Sequence, residues 1–175
     1  MKKLLTTFVV AILATVSVKA QVYVGGGVGF ASIDDETTYK IVPEIGYSLN
    51  QNWALGISLG ISKGPAVFGL DSDWTEQIEV TPYARYTFFR SGDFSVFCDG
   101  VFQYISYKAD GEGIGHSIGI GVMPGLAYNV SKFTFAAHVG YLGYSNFKPK
   151  YGNGVDAFGL ALDGRSITVG AYYNF

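Results

Sequence analysis

Apolar side chains alternate with small or polar ones along almost the whole sequence after residue 20. Successive side chains of a β-strand point to opposite faces, so a period of two indicates strands and forms no apolar helical stripe. Most of these segments exceed the roughly 5–6 residues of a globular strand and reach the roughly 9–11 that a tilted strand needs to cross a bilayer. We predict eight strands, with ends uncertain by about three residues: 22–32, 38–49, 52–62, 77–90, 93–108, 115–129, 132–144 and 165–175.

The connections between these strands alternate between short and long. Short turns are predicted at 50–51, 90–92 and 129–131, and longer polar loops at 33–37, 63–76, 109–114 and 145–164. Membrane-spanning up-and-down barrels have short turns on the periplasmic side and longer loops outside. The predicted fold class is therefore all-β, an eight-stranded antiparallel up-and-down transmembrane β-barrel with both chain ends on the side of the short turns.

The first twenty residues are predicted to be a cleaved secretory signal peptide, which leaves 21–175 as the barrel domain. Lys2 and Lys3 precede an apolar stretch that starts at Leu4, and small or short residues end the segment at Ala20. An uncleaved membrane anchor is the alternative. We favour cleavage because threonine and serine interrupt the stretch, which is also short for a span of about 20 residues.

The chain after residue 20 is acidic and contains no second apolar run that could form a spanning helix. Nine basic residues stand against fourteen acidic ones, a formal charge of −5, which argues against nucleic acid as a partner. Without a spanning helix, such a chain can cross a membrane only as a closed sheet. The single Cys98 has no disulfide partner and no zinc-like companion. We expect no metal and no cofactor.

The phase of the last strand predicts which side chains face lipid. Ile167, Val169 and Tyr173 alternate there with Thr168 and small or polar neighbours, and the apolar set should face outward. Applied to the other strands, this phase also places an interfacial aromatic belt beside the short turns: Tyr47, Trp53, Tyr86, Phe88, Tyr128, Phe133, Tyr173 and Phe175. The further stripes predicted to face lipid are Phe135, Ala137, Val139 and Tyr141; Ile118, Ile120, Val122 and Leu126; Ile78, Val80 and Ala84; and Leu55, Ile57, Leu59 and Ile61.

The same phase turns charged and polar side chains into the lumen. An ionised group in a narrow lumen costs several kcal/mol unless it is paired or hydrated. A bulge near Gly100 would change this phase on the fifth strand, where Phe97 and Val101 share a face with Asp99. From the inward-facing residues Lys40, Glu44, Glu79, Arg85, Asp99, Gln103 and His138, we predict a polar cluster of Glu44, Arg85, Asp99 and His138.

A Pro-x-x-x-Tyr pattern recurs before three of the short turns. It begins at Pro43, Pro82 and Pro124. Proline donates no hydrogen bond to a sheet, so we predict a bulge or kink at each of the three positions.

These features together resemble small eight-stranded outer-membrane barrels of the OmpA/OmpX type and, more generally, the outer-membrane β-barrel domain family of Gram-negative bacteria. The resemblance covers about 21–175 and is most specific at the C-terminus, where Thr168, Gly170, Tyr173 and Phe175 match the signal that such barrels present to their insertion machinery. It implies a monomer in the bacterial outer membrane, with outer-membrane lipid and lipopolysaccharide, the insertion machinery and periplasmic chaperones as partners. Because members differ widely in role, the fold alone indicates little about function.

Three functions are compatible with such a barrel. The first is a structural or surface-interaction barrel with a side-chain-filled lumen, whose extracellular loops contact an unidentified ligand. The second is a narrow channel for small hydrophobic molecules or ions. Acidic residues in the outer loops favour cations at its mouth, although they also hydrate loops or bind divalent ions that bridge lipopolysaccharide: Asp34, Asp35, Glu36, Asp71, Asp73, Asp110 and Glu112. The candidate contact residues are Phe147, Lys148, Lys150 and Tyr151, within the loop predicted at 145–164.

The third function is a lipid-modifying enzyme that uses serine and histidine. His116 and Ser117 are adjacent in a strand, so their side chains should point to opposite faces and cannot form a simple nucleophile and base pair. The other histidine, His138, is predicted in the lumen. We therefore expect no enzymatic activity. A periplasmic lipocalin-like barrel stays open as a fold, although it would need large apolar side chains inside, where this sequence places small and polar ones.

Overall fold

The computed structural model describes residues 21–33, 36–64, 75–109, 111–161 and 167–175. Within these ranges the chain forms ten strand segments joined by turns. They are β1 (Gln21–Ile33), β2 (Glu36–Ser48), β3 (Trp53–Gly64), β4 (Thr75–Ser91), β5 (Phe94–Ala109), β6 (Glu112–Val130), β7 (Phe133–Val139), β8 (Tyr141–Pro149), β9 (Val155–Ala161) and β10 (Ile167–Asn174).

The ten segments occupy eight positions around a closed antiparallel barrel. From β1 to β6, each segment pairs with the next one along the chain. Both β7 and β8 pair with β6, one after the other along its length. On their other side, β7 pairs with β10 and β8 pairs with β9. The pairing of β10 with β1 closes the sheet. The predicted eight-stranded antiparallel barrel is thereby confirmed. No helix within the described ranges is long and apolar enough to cross a membrane.

The hydrogen-bonded register fixes the width of the barrel. The paired residues can be followed from strand to strand once around the barrel, from Ile118 in β6 to β5 and onward to β7. This path returns to β6 at Tyr128, and the displacement of ten residues is the shear of the barrel. With about 3.3 Å per residue and about 4.8 Å between strands, this shear gives a strand tilt of about 40° and a backbone radius of about 8 Å. Each residue therefore advances about 2.5 Å along the barrel axis.

Outward-facing side chains are apolar, and inward-facing ones are small, aromatic or charged. In β3, Trp53, Leu55 and Ile57 are exposed on the outer face, while Ala54 and Ser58 are buried inside. The fifth strand keeps one phase, with Phe97, Asp99 and Val101 all buried in the lumen. An apolar exterior of this kind suits a lipid environment. The buried apolar cluster inside the barrel comprises Tyr23, Ala54, Tyr83, Phe97, Val101, Ala127, Ala136 and Tyr172.

An irregularity at Gly140 reverses the phase of the seventh barrel strand. Gly140 has φ 81° and separates β7 from β8, and the register against β6 shifts by one residue across it. The prediction that Tyr141 faces lipid is therefore wrong. Its ring lies in the lumen, packed against the buried cluster, because the extra residue turns each later side chain to the other face.

Of the bulge or kink predicted at each of the three prolines, the bulge is absent at two. The ladder is interrupted next to Pro43 and Pro82, but the register is the same on both sides of each gap. The missing proline donor thus removes ladder bonds without adding a residue. Only Pro124 lies opposite an irregularity, the one at Gly140.

The long loop predicted at 145–164 is largely a β-hairpin. Residues 145–149 continue β8, and Val155–Ala161 forms β9. Phe147 is 2% exposed and packs edge-on against Tyr107, with ring centroids 5.4 Å apart. A contact role for Phe147 as a loop residue is thus ruled out by its burial. Lys148 is exposed on the strand, and Lys150 and Tyr151 are exposed in the turn between β8 and β9.

The short turns and the C-terminus lie together at one end of the barrel, which we call the turn end; the opposite end is the loop end. Asparagines link neighbouring hairpins at the turn end by hydrogen bonds. Asn129 donates from its backbone N–H and from Nδ2 to the carbonyl of Asp93, and Asn174 does the same to the carbonyl of Lys132. Asn52 donates from Nδ2 to the carbonyl of Thr87, whose N–H bonds back to Asn52. Each hairpin is thus fastened to the next strand.

Some sequence predictions fall outside the described residues. These are the signal peptide at 1–20 and the acidic loop residues Asp34, Asp35, Asp71, Asp73 and Asp110.

Candidate functional site in the barrel lumen

Inward-facing aromatic rings lie across glycines on the neighbouring strands. Tyr23 is paired directly with Gly46, and Tyr83 with Gly56. A Cβ added at Gly46 would overlap Cζ of Tyr23, and one at Gly56 would overlap Oη of Tyr83. The same arrangement joins Phe97 to Gly125. Glycine therefore gives each ring room to lie flat inside a narrow barrel.

Arg85 is the centre of a charged layer near the turn end, the inner layer. Its guanidinium donates to both oxygens of Asp99, with both N–O distances 2.8 Å. Its Cζ lies 4.1 Å from the ring centroid of Phe97. His138 Nε2 is 2.9 Å from Asp99 Oδ2. The same Nε2 lies 3.3 Å from Arg85 Nη2, so His138 contacts both members of the Arg85–Asp99 pair.

Two tyrosines and Arg85 contact Glu44 in the same layer, and a third tyrosine contacts one of these two. Tyr83 donates to Oε1 at 2.5 Å and Tyr172 donates to Oε2 at 3.0 Å. Tyr23 Oη lies 2.6 Å from Tyr83 Oη and donates to it, since the Tyr83 proton points to Glu44. Arg85 Nη2 is 3.5 Å from Glu44 Oε1. The buried carboxylate is thus fully surrounded by donors, as a charge removed from water requires.

A second charged layer, the outer layer, lies nearer the loop end. Lys40 Nζ donates to Glu79 Oε2 at 2.7 Å. Thr81 and Gln103 donate to the other oxygen of Glu79, at 2.6 and 3.0 Å. Along β4, Glu79 is six residues from Arg85, a distance of about 15 Å along the barrel axis. The outer layer therefore pairs its own charges independently of the inner layer.

A small cavity lies in the lumen between the two layers. A cavity of about 40 Å³ lies there, lined by Glu44, Glu79 and His138 among others, and such a volume suits very few water molecules. Beyond the inner layer, a cavity of about 690 Å³ opens at the turn end, with Arg85 and Phe97 in its lining. Residues of the inner layer therefore form part of the wall of the turn-end cavity.

All four residues of the cluster predicted from the sequence, Glu44, Arg85, Asp99 and His138, lie in the inner layer. The prediction omitted the three tyrosines that complete this layer. Their signal in the sequence is only an aromatic residue on the inward phase; the glycine opposite each ring is given by the register.

The remaining candidate residues occupy the wall of the barrel. His116 and Ser117 have their side chains on opposite faces, with Ser117 buried inside and the His116 ring stacked on Tyr104 at a centroid distance of 5.9 Å. Tyr173 packs between Phe133 and Phe175 in the aromatic belt at the turn end. Thr168 and Gly170 lie on the inward phase of the same strand. A role for this C-terminal strand as an insertion signal stays a prediction.

Within the described part of the chain, no group of three or more histidine, cysteine, aspartate or glutamate side chains has the geometry of a metal site. The carboxylates of the lumen are instead held by arginine, lysine, tyrosine and histidine. The described contacts of these carboxylates are thus ion pairs and hydrogen bonds.

Fold and lumen together define a small membrane-spanning barrel with a lipid-facing exterior and paired charges inside. The family model described as the outer membrane protein beta-barrel domain matches residues 4–175. The chain belongs to this family and is a protein of the bacterial outer membrane.

Solved structures show the same fold at low sequence identity. Neisserial surface protein A is 15% identical, with a TM-score of 0.50, and the match covers 89% of this chain and 96% of that one. A major outer membrane protein from Thermus thermophilus is 10% identical, with a TM-score of 0.55 and coverage of 90% and 100%. No curated protein matches the chain significantly.

Proposed function

We propose that this protein is a structural and surface-interaction barrel of the outer membrane, with a side-chain-filled lumen and contacts made at its loop end. The observation that carries the proposal is the pair of charged layers across the lumen, with Arg85 bound to Asp99 in one and Lys40 bound to Glu79 in the other. A barrel obstructed at two levels is poorly suited to general diffusion.

The width of the barrel supports the same proposal. A backbone radius of about 8 Å leaves room for side chains and little else. Tyr23, Tyr83 and Phe97 occupy that room, each against a glycine. Opening a continuous path would require these rings and both ion pairs to move together, which would leave buried charges without partners.

The hairpin between β8 and β9 is the candidate contact surface. Tyr151 is 82% exposed at its turn, and Lys150 Nζ lies 5.4 Å from the Tyr151 ring centroid. Lys150 also approaches Glu112 Oε2 at 4.0 Å. An exposed aromatic ring beside a cation on a hydrogen-bonded hairpin is suited to contact with a surface partner.

Planar-bilayer conductance of refolded residues 21–175 tests the proposal against the alternative of a narrow channel. We expect a folded barrel without stable, discrete conductance steps, because both charged layers obstruct the lumen. A gel in which the unheated barrel migrates differently from the heated one confirms closure, and a reconstituted porin serves as the positive control. Discrete steps from the closed wild-type barrel would contradict the filled-lumen proposal and favour the channel.

A further inference from the structure

Three basic side chains stand side by side on the outer wall near the loop end. His116 in β6 is directly opposite Lys148 in β8 and Ser106 in β5. Lys108 lies two residues beyond Ser106 and is exposed. Directly opposite residues have Cβ atoms about 5 Å apart, and diagonal ones about 7–8 Å. The three side chains therefore form one group, here called the basic triad, across three adjacent strands.

The depth of the basic triad follows from β6 alone. Tyr128 lies in the aromatic belt at the turn end, and His116 is twelve residues further along the strand, about 30 Å along the barrel axis. The apolar band of such barrels is about 25 Å tall, so it ends near Ile118. Tyr104 and Tyr144, both exposed, border it on the neighbouring strands. The basic triad lies just beyond, at the level of the outer lipid headgroups.

Two acidic side chains lie beside the basic triad, and each has a further partner; Asp156 also attracts Lys148 electrostatically. Glu76 is opposite Lys108 but lies 4.0 Å from Lys63. Asp156 accepts hydrogen bonds from Tyr144 and Asn146, both at 2.6 Å. Among the described residues, neither Lys108 nor Lys148 has an ion-pair partner within 4.0 Å. Because neither ammonium group is held in a direct ion pair by a described residue, both lysines are available to contact a further anionic group on the lipid-facing wall.

We propose that the basic triad binds the phosphates of an outer-leaflet lipid A headgroup. Lys108 and Lys148 stand two strand spacings apart, about 10 Å, so they can contact two separate phosphates. Lipid A carries a phosphate at each end of its sugar headgroup, whereas a simple phospholipid carries one. The His116 ring, held against Tyr104, supplies an N–H donor between the two lysines.

Native mass spectrometry of the refolded barrel with bisphosphorylated lipid A tests this proposal. The variant Lys108→Gln/Lys148→Gln should bind about tenfold more weakly or worse, because each cation near an anionic lipid surface contributes to affinity. Lys132→Gln removes one exposed lysine at the turn end and should bind as the wild type does. The single variants should each lose part of the affinity, which keeps the test valid if the double variant does not fold.

Three further probes identify the ligand. Dephosphorylated lipid A and phosphatidylglycerol should both bind wild-type barrel more weakly than bisphosphorylated lipid A, and inorganic phosphate at millimolar concentration should compete only slightly. Equal binding of wild type and the lysine variants would overturn the proposal. So would equal binding of phosphorylated and dephosphorylated lipid A, or of phosphatidylglycerol and lipid A.

Discussion

Arg85 holds together the most heavily buried charges of the barrel. It binds Asp99 through two hydrogen bonds, approaches Glu44 and packs on Phe97, which is 1% exposed. Replacing Arg85 by Met keeps most of the volume but leaves two carboxylates without their cation. We expect a loss of about 3–5 kcal/mol of stability, measured by urea unfolding of the refolded barrel in detergent.

The matched control for this experiment is Arg90→Met at the turn end. Arg90 is exposed and donates to the backbone carbonyl of Gln51, so its loss should cost about 1 kcal/mol or less. Equal stability of the Arg85 variant and the wild type would show that the inner layer does not depend on its guanidinium.

Gly46 tests the pairing of aromatic rings with glycine. The Cβ of Gly46→Ala would overlap the Tyr23 ring, which itself belongs to the hydrogen-bonded inner layer. We expect a destabilisation of about 1–3 kcal/mol from overpacking, read from the temperature at which the barrel loses its compact gel mobility. Gly113→Ala is the control, since a Cβ there meets nothing within 4 Å. Similar behaviour of the two variants would contradict close packing at Gly46.

The charges of the inner layer were predictable from the sequence, but its full set of residues was not. Glu44, Arg85, Asp99 and His138 were predictable because charged residues on the inward phase of a narrow barrel must find one another. The tyrosines were not, because a tyrosine on an inward phase is equally compatible with simple packing. Only the register, which sets Tyr23 opposite Gly46 and brings its hydroxyl to Tyr83, shows that these rings complete the layer.

The asparagine links at the turn end are features of the hairpins rather than of single residues. Asn129 binds the carbonyl of Asp93 in one hairpin turn through Nδ2 and accepts from Thr134 across its own hairpin at 2.7 Å. We expect Asn129→Ala to lower the free energy of unfolding by about 1–2 kcal/mol, measured by urea unfolding.

Asn153→Ala gives a control with the same chemical change. Asn153 is exposed in the turn between β8 and β9, so its loss should change stability by no more than about 0.5 kcal/mol. If both variants unfold at the same urea concentration as the wild type, the turn-end links contribute nothing measurable.

Most strands were predictable because one physical rule acts along their whole length: lipid outside and a narrow lumen inside. The rule fails where that environment changes. Past the apolar band, Asn146 and Asp156 replace apolar residues on the outer face of β8 and β9, so the alternation weakens and the hairpin looks like a loop. The phase change at Gly140 was also hidden, because only a positive φ and a shifted register distinguish this glycine from others in the strands.

The interior of the barrel stabilises the fold, and its exterior positions the protein in the membrane. The interior pairs its charges in two layers and packs aromatic rings against glycines, which stabilises a closed barrel. The aromatic belt and apolar wall position that barrel in the outer membrane. A surface role then depends on the loop end, where the hairpin of β8 and β9 presents Tyr151.

Labelling of single cysteines in intact cells tests most directly that the loop end faces outward. In a Cys98→Ala background, we expect Tyr151→Cys to react with a membrane-impermeant maleimide on intact cells. Asp93→Cys, in a turn-end hairpin, should react only after the outer membrane is permeabilised. Labelling of Asp93→Cys but not Tyr151→Cys in intact cells would contradict both the orientation of the barrel and the surface role proposed for it.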